Sequence, residues 1–242
     1  MVAKVIGIII ARGGSKGLSG KNLRILDGET LIQRAVRQGL ESKVLDRLIV
    51  STDDDAIAAS AKTVGAEIPF MRPSYLAEDL STTEETLQHA LLTYEQLSGM
   101  EFDIAVFLTA TDVFRDPSWI AKAVDVLIDN PSLESVFVGH QTHKNFWEKK
   151  EDGTWSRLRD WMSVYSSRQV RQTIVREDTG LACASRAWLW REGKRIGDKV
   201  EIIVNDDDFT SIDIHHHEDL MLAQAAIDIR KKIASEMENV DD

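Results

Sequence analysis

The sequence predicts an α/β fold with a mostly parallel sheet and helices on both faces, and three observations carry that expectation. Val5 to Ile10 is a short apolar run rich in isoleucine and valine, the pattern of a parallel strand covered on both faces. A glycine-rich turn follows. Thr30 to Ser42 then places Leu31, Ile32, Ala35, Val36 and Leu40 on one helical stripe, and Arg47 to Thr52 returns as a second strand, completing a β-loop-α-β unit. Finally, Ile104 to Leu108 reads as a central buried strand opening on a polar loop, Thr109 to Arg115. In open α/β sheets ligands bind at that carboxyl edge.

The bounds agree. A chain of 242 residues suits a single domain, 1–242, with an appended arm. A net charge of −11 argues against nucleic acid or an anionic membrane as the main partner. Cys183 is the only cysteine, which forbids an intrachain disulfide and suits a reducing compartment. The start shows no signal-peptide pattern, and no apolar run approaches the roughly 20 residues needed to span a bilayer. The expectation is a soluble, cytoplasmic protein.

The remaining elements follow in order. Asp53-Asp54-Asp55 invites a metal reading, but the acids stand just before a small-residue helix, Ala56 to Val64, where capping is favoured. Gly65 closes that helix. Glu67 to Phe70 reads as a strand, and Pro73 makes the next segment extended or turning. Ser81 to Thr83 looks like the cap of a helix running to Leu97. Residues 140–178 change character, with Trp147, Trp155 and Trp161 among charged residues and a turn at Asp152-Gly153 between possible hairpin strands. Aromatics and arginine are enriched at interface hot spots, so this stretch reads as a dimerisation arm. Val200 to Val204 is the last strand, and Ser211 to Leu220 leads into a C-terminal helix reaching about Ile233.

The chemistry concentrates in the turn after the first strand. Gly13, Gly14, Gly17 and Gly20 let backbone N–H groups approach an anion, while Arg12, Lys16 and Lys21 offer charge-assisted bonds and Ser15 and Asn22 neutral donors. This is the make-up of a polyphosphate site. It is not a Walker A loop, because Ser15 stands where the first glycine belongs and Asn22 follows Gly20-Lys21. Nor is it a dinucleotide fingerprint, since the segment contains no Gly-x-Gly.

Ala11-Arg12-Gly13-Gly14-Ser15-Lys16-Gly17-Leu18 followed by Gly20-Lys21-Asn22-Leu23 resembles the signature loop of the sugar-acid cytidylyltransferases, the CMP-sialic acid synthetases and their CMP-KDO relatives. The resemblance implies a three-layer, Rossmann-like nucleotide-diphospho-sugar transferase fold with an extended dimerisation arm. It also implies transfer of CMP from CTP to an acidic sugar in cell-surface polysaccharide biosynthesis, with Mg²⁺, or Mn²⁺, as cofactor and a homodimer as the assembly. By the same resemblance Ala11, Arg12, Gly13, Ser15, Lys16, Lys21 and Asn22 face the triphosphate. Arg72 and Ser81, in Arg-Pro…Leu-Ala-x-Asp-x-Ser-Thr, and Thr111 face the nucleotide. Arg168-Gln169 and Lys144 on the arm are assigned to the sugar acid, with a surface salt bridge the alternative for Lys144.

Several positions depart from the family pattern. Where the family has Leu-Gln-Pro-Thr-Ser-Pro-Leu-Arg, Thr109 replaces glutamine at a substrate-binding position, Asp112 replaces serine, and Ala110 and Val113 replace both prolines. Thr179 and Ala184 stand where an asparagine and an aromatic are expected. At the family's Asp-Ile-Asp, Asp213 matches the first metal-binding carboxylate and His215 occupies the place of the second. Imidazole is a poor ligand for Mg²⁺, so a bond from His215 to a metal-bound water or phosphate is the alternative.

Together these residues imply in-line attack of a sugar-acid hydroxyl, sialic acid or a related nonulosonic acid, on the α-phosphorus of CTP with release of pyrophosphate. Arg12, Lys21 and Asp213 would carry the catalysis. The changed pocket keeps two alternatives open: a nucleotidyltransferase of this fold acting on KDO or another acidic acceptor such as a phosphonate, or a non-catalytic nucleotide-binding protein.

Overall fold

The computed structural model describes residues 3–165, 167 and 169–238. In chain order its elements are β1 Val5–Ile10, β2 Ile25–Leu26, β3 Glu29–Thr30, α1 Leu31–Glu41, β4 Arg47–Ser51, α2 Asp55–Lys62, α3 Thr83–Ser98, β5 Ile104–Leu108, α4 Pro117–Asp129, β6 Ser135–Thr142, β7 Trp147–Lys149, β8 Trp155–Arg157, β9 Ile174–Glu177, β10 Cys183–Arg186, α5 Ala187–Arg191, β11 Val200–Asn205 and α6 His217–Glu238.

The main sheet runs β11-β6-β10-β5-β1-β4, with β9 added beside β6. β1 is parallel to both β4 and β5, and β11 is parallel to β6. Among the described residues only β10 and β9 run antiparallel to their neighbours in it. Alternation along the strands makes three layers. In β5, Ile104, Val106 and Leu108 join a core with α1, α4 and α6, while Ala105 and Phe107 face a second core with α3 and α5. The chain leaves β1 for β4 on one side and then returns to β5 on the other. A crevice therefore opens at the carboxyl ends of β1 and β5, the switch point where such sheets bind ligands.

Local signals account for most boundaries. Thr30 caps α1 through a reciprocal capping box with Gln33, and Asp54 caps α2 by accepting from the amides of Ala56 and Ile57. Thr82 caps α3, accepting from Glu85 N at 3.1 Å while Glu85 accepts from Thr82 N at 3.0 Å. Thr82→Ala is expected to lower stability by about 1 kcal/mol in urea unfolding, the usual worth of such a cap.

Three sequence expectations need correction. Glu67 to Phe70 forms no strand: it makes a single bridge, Ile49↔Glu67, because the chain bends away toward Pro73 after one pairing. Leu40 is exposed, the α1 stripe ending one turn earlier. The C-terminal helix runs on to Glu238, past the expected end near Ile233. Within 140–178 the turn at Gly153, with φ 84°, does join two short strands, β7 and β8, which pair only with each other. Trp147, Trp155 and Tyr165 in this stretch are exposed. Among the described residues no helix is long and apolar enough to cross a membrane.

Candidate active site

The glycine-rich loop leaves β1 at Ala11 and is stitched in place by side chains from other elements. Asn22 is buried and donates from Nδ2 to Arg12 O at 3.0 Å, closing the loop on itself. Gly13 N donates to Asp53 Oδ1 at 3.0 Å, and a Cβ on Gly13 would stand 2.7 Å from Asp54 Oδ2. The acidic triplet thus anchors the loop as well as capping α2. Gly17 admits a second contact, since a Cβ there would meet His215 O at 2.5 Å. Asn22 and the Gly13 amide are accordingly braces, committed to the protein.

The loop faces an open cleft of about 440 Å³. Ala11, Arg12, Ser15, Lys16, Lys21 and Asn22 line one wall, and Thr109, Thr111 and His215 complete it. Arg12 and Lys16 both turn to Asp79, at 3.5 and 2.5 Å, and Arg12 also donates to Glu78 O at 3.0 Å. Lys21 is different. Burial pushes its pKa down, opposed by Asp213, and Arg12 pushes it down further while Asp112 and Asp219 raise it. It is the cation that faces the carboxylates.

Those carboxylates come from two elements. Asp112 and Asp213 are partners in an isolated antiparallel bridge. Burial first, and then the neighbouring Asp213, pushes the Asp112 carboxyl up to about 6. His215 Nε2 contacts Asp213 Oδ2 at 2.8 Å, whereas Asp213 Oδ1 is enclosed without a hydrogen-bond partner among the described residues. An orphaned carboxylate oxygen beside the cleft suits a hard cation such as Mg²⁺, which takes oxygen ligands and keeps places for further oxygen donors and water. Among the described residues no three acidic, histidine or cysteine side chains form a closed metal cage. The histidine run separates into roles: His215 and His216 line the cleft, their amides both donate to Asp219 Oδ2, and His217 opens α6.

A second cavity of about 450 Å³ adjoins the first, sharing Thr109 and Thr111 and adding Asp112, Asp213, Arg176 and Arg195. Neither arginine was legible in the sequence, because both come from parts of the chain without a phosphate or sugar motif. Arg176 makes a two-pronged pair with Asp178 at 2.7 and 2.9 Å. Arg195 reaches Glu177 at 3.3 Å and lies over the Phe107 ring.

Other expected site residues sit elsewhere. Arg72 and Ser81 line a smaller adjoining cavity of about 230 Å³. Arg72 is buried, its Nε donating to Ser51 Oγ at 3.1 Å and one Nη to Ser51 O, so much of its guanidinium holds β4. Burial pushes it down to about 10. Ser81 donates to Tyr75 O at 2.7 Å. Lys144 and Gln169 are exposed and line neither main cavity, and Arg168 lies outside the described residues.

Arg115 proves to be scaffold. Fully enclosed, it donates to Thr109 O at 2.6 Å, Gly180 O at 2.5 Å and Gln38 Oε1 at 3.1 Å, and also to Leu181 O, clamping the loop after β5 to the turn at 179–181. Arg115→Ala is expected to cost about 3 kcal/mol or more in urea unfolding, because several carbonyls would lose a charged donor at once.

A family model described as Cytidylyltransferase matches residues 6–226. The chain belongs to the cytidylyltransferase family. Its similar relatives include a CMP-N,N'-diacetyllegionaminic acid synthase of Legionella pneumophila, 37% identical over 123 residues covering 51% of this chain and 53% of that protein. An N-acylneuraminate cytidylyltransferase of Escherichia coli is 36% identical over 124 residues, 51% of this chain and 28% of that protein. The chain therefore matches about half, or less, of the length of these cytidylyltransferases. Among solved structures, a CMP:2-keto-3-deoxy-manno-octonic acid synthetase complexed with CTP superposes with TM-score 0.66 and 16% identity, covering 94% of this chain and all, 100%, of that one. That likeness establishes the cytidylyltransferase fold.

Proposed function

We propose that the protein transfers CMP from CTP to a hydroxyl of an acidic sugar. The observation that carries the reading is the pair of adjoining cavities at the switch point of the sheet, one lined by the glycine and lysine loop after β1 and the other by Asp213. The triphosphate would lie along Arg12, Ser15, Lys16 and Lys21, displacing Asp79 from the first and third of these. The acceptor would lie in the adjoining cavity, where Arg176 and Arg195 supply positive charge for an acid group. The names of the relatives, a diacetyllegionaminic acid synthase and an N-acylneuraminate cytidylyltransferase, support a nonulosonic acid.

The acceptor oxygen forms a bond to the α-phosphorus as the bond to the bridging oxygen of the β-phosphate breaks. Pyrophosphate leaves with that electron pair, and the hydroxyl proton passes to a base or to water. Little covalent work falls to the protein, so placement and charge dominate. Lys21 and Arg12 sit where negative charge grows. Asp213 would hold Mg²⁺ or Mn²⁺, which when bound neutralises phosphate charge and orients the leaving group.

The exposed aromatic arm and the distance of Lys144 and Gln169 from the cleft fit a homodimer in which the arm reaches the partner's acceptor cavity. Calorimetric titration with CTP, against ATP and UTP, tests the nucleotide half of the reading. CTP alone should bind tightly; equal affinity for ATP would remove the cytidine assignment.

A further inference from the structure

We propose that Asp112, on the turn after β5, is the second carboxylate that holds the divalent cation together with Asp213, an assignment that rests on the nucleotidyl-transfer reading above. The family pattern places the second ligand at residue 215, where this chain has a histidine. The structure instead brings the carboxylate of Asp112 opposite Asp213 through an isolated bridge.

Asp112 and Asp213 are directly opposed bridge partners, and Ile214 N donates to Thr111 O at 3.3 Å beside them. Residues so opposed carry their Cβ atoms about 5 Å apart, and like charges there are destabilising unless a counter-charge lies between them. A hard cation bound by one oxygen from each would supply it. The site is also built around this carboxylate. Thr109 Oγ1 donates to Asp112 Oδ2 and accepts from Asp112 N at 3.3 Å, fixing the side chain and leaving Oδ1 for a ligand. Gly180 leaves the room it needs, since a Cβ there would stand 1.9 Å from Asp112 Oδ2.

The facing acid is prepared in the same way. His215 takes Asp213 Oδ2 at 2.8 Å, so the enclosed and unpartnered Oδ1 is the oxygen left for the ion. His215 then orients a ligand without being one, as outer partners of metal sites do. The departures at 109, 112 and 215 form one device: the carboxylate has crossed the bridge, Thr109 holds it, and the histidine steadies its partner.

The test is Mn²⁺ binding in the presence of CTP and without acceptor, read from the electron paramagnetic resonance of unbound Mn²⁺. Asp112→Asn is expected to weaken Mn²⁺ by roughly tenfold or more, with the circular dichroism and metal-independent CTP affinity unchanged. His215→Ala should change Mn²⁺ affinity by less than about threefold. His215→Asp in the Asp112→Asn background should restore Mn²⁺ binding, which a merely structural role for Asp112 would not produce. Wild-type Mn²⁺ affinity in Asp112→Asn, alongside its loss in Asp213→Asn, would overturn the proposal while leaving the transfer reading intact. Failure of the wild type to bind CTP at all would overturn both.

Discussion

Lys21→Ala is expected to lower kcat/KM for pyrophosphate release from CTP by about a hundred- to a thousandfold, the loss seen when a preorganised donor to developing charge is removed. Lys21 opens a short 3-10 turn after Gly20, whose φ of 62° lies in the left-handed region that favours glycine. The turn's own contacts are made by Asn22 and the main chain, so the ammonium is spent on the cleft and not on the fold. Circular dichroism and the urea midpoint should therefore stay within about 0.5 kcal/mol of wild type. Lys21→Arg should recover only part of the rate, because a planar fork cannot reproduce a compact point charge among Asp213, Asp112 and Asp219. Turnover like wild type in Lys21→Ala would remove the phosphate-loop account.

Asp213→Asn carries the second large effect. With Mg²⁺ present, turnover should fall about a thousandfold, since a neutral amide binds a hard cation poorly and leaves triphosphate charge uncompensated. Stability should move the other way. The change keeps the side chain's shape and removes like-charge repulsion against Asp112, whose carboxyl is already pushed up by burial and by this neighbour. An unchanged or higher urea midpoint together with lost activity is the expected signature, typical of a site that stores strain for function. Lost stability at undiminished turnover would mark Asp213 as an ordinary structural acid.

The fold was legible because its signals are local and repeated. Apolar strands, the α1 stripe and the capping residues Thr30, Asp54 and Thr82 each sit within a few positions of the element they define. The one failed strand, at 67–70, shows the limit: pairing depends on where the chain goes next, and a short apolar run does not state that. The loop that lines the first cleft was legible for a similar reason, being one contiguous segment. The opposite wall was not. Asp112 gains its meaning only when the bridge brings it against Asp213, and Arg176 and Arg195 approach from separate segments. Arg72 and Arg115 show a further limit, since a guanidinium suited to a nucleotide is equally suited to oxygens of the fold, as at Ser51 and Thr109. Only the acceptors that fold around it distinguish the two uses.

The most direct test is pyrophosphate release from CTP with Mg²⁺ or Mn²⁺ across N-acetylneuraminate, legionaminate, pseudaminate and KDO. The account predicts release with a nonulosonic acid, dependent on the cation and absent without acceptor. CTP binding without release for any acidic sugar would contradict the transfer chemistry, and the absence of CTP binding would contradict the cleft's assignment altogether.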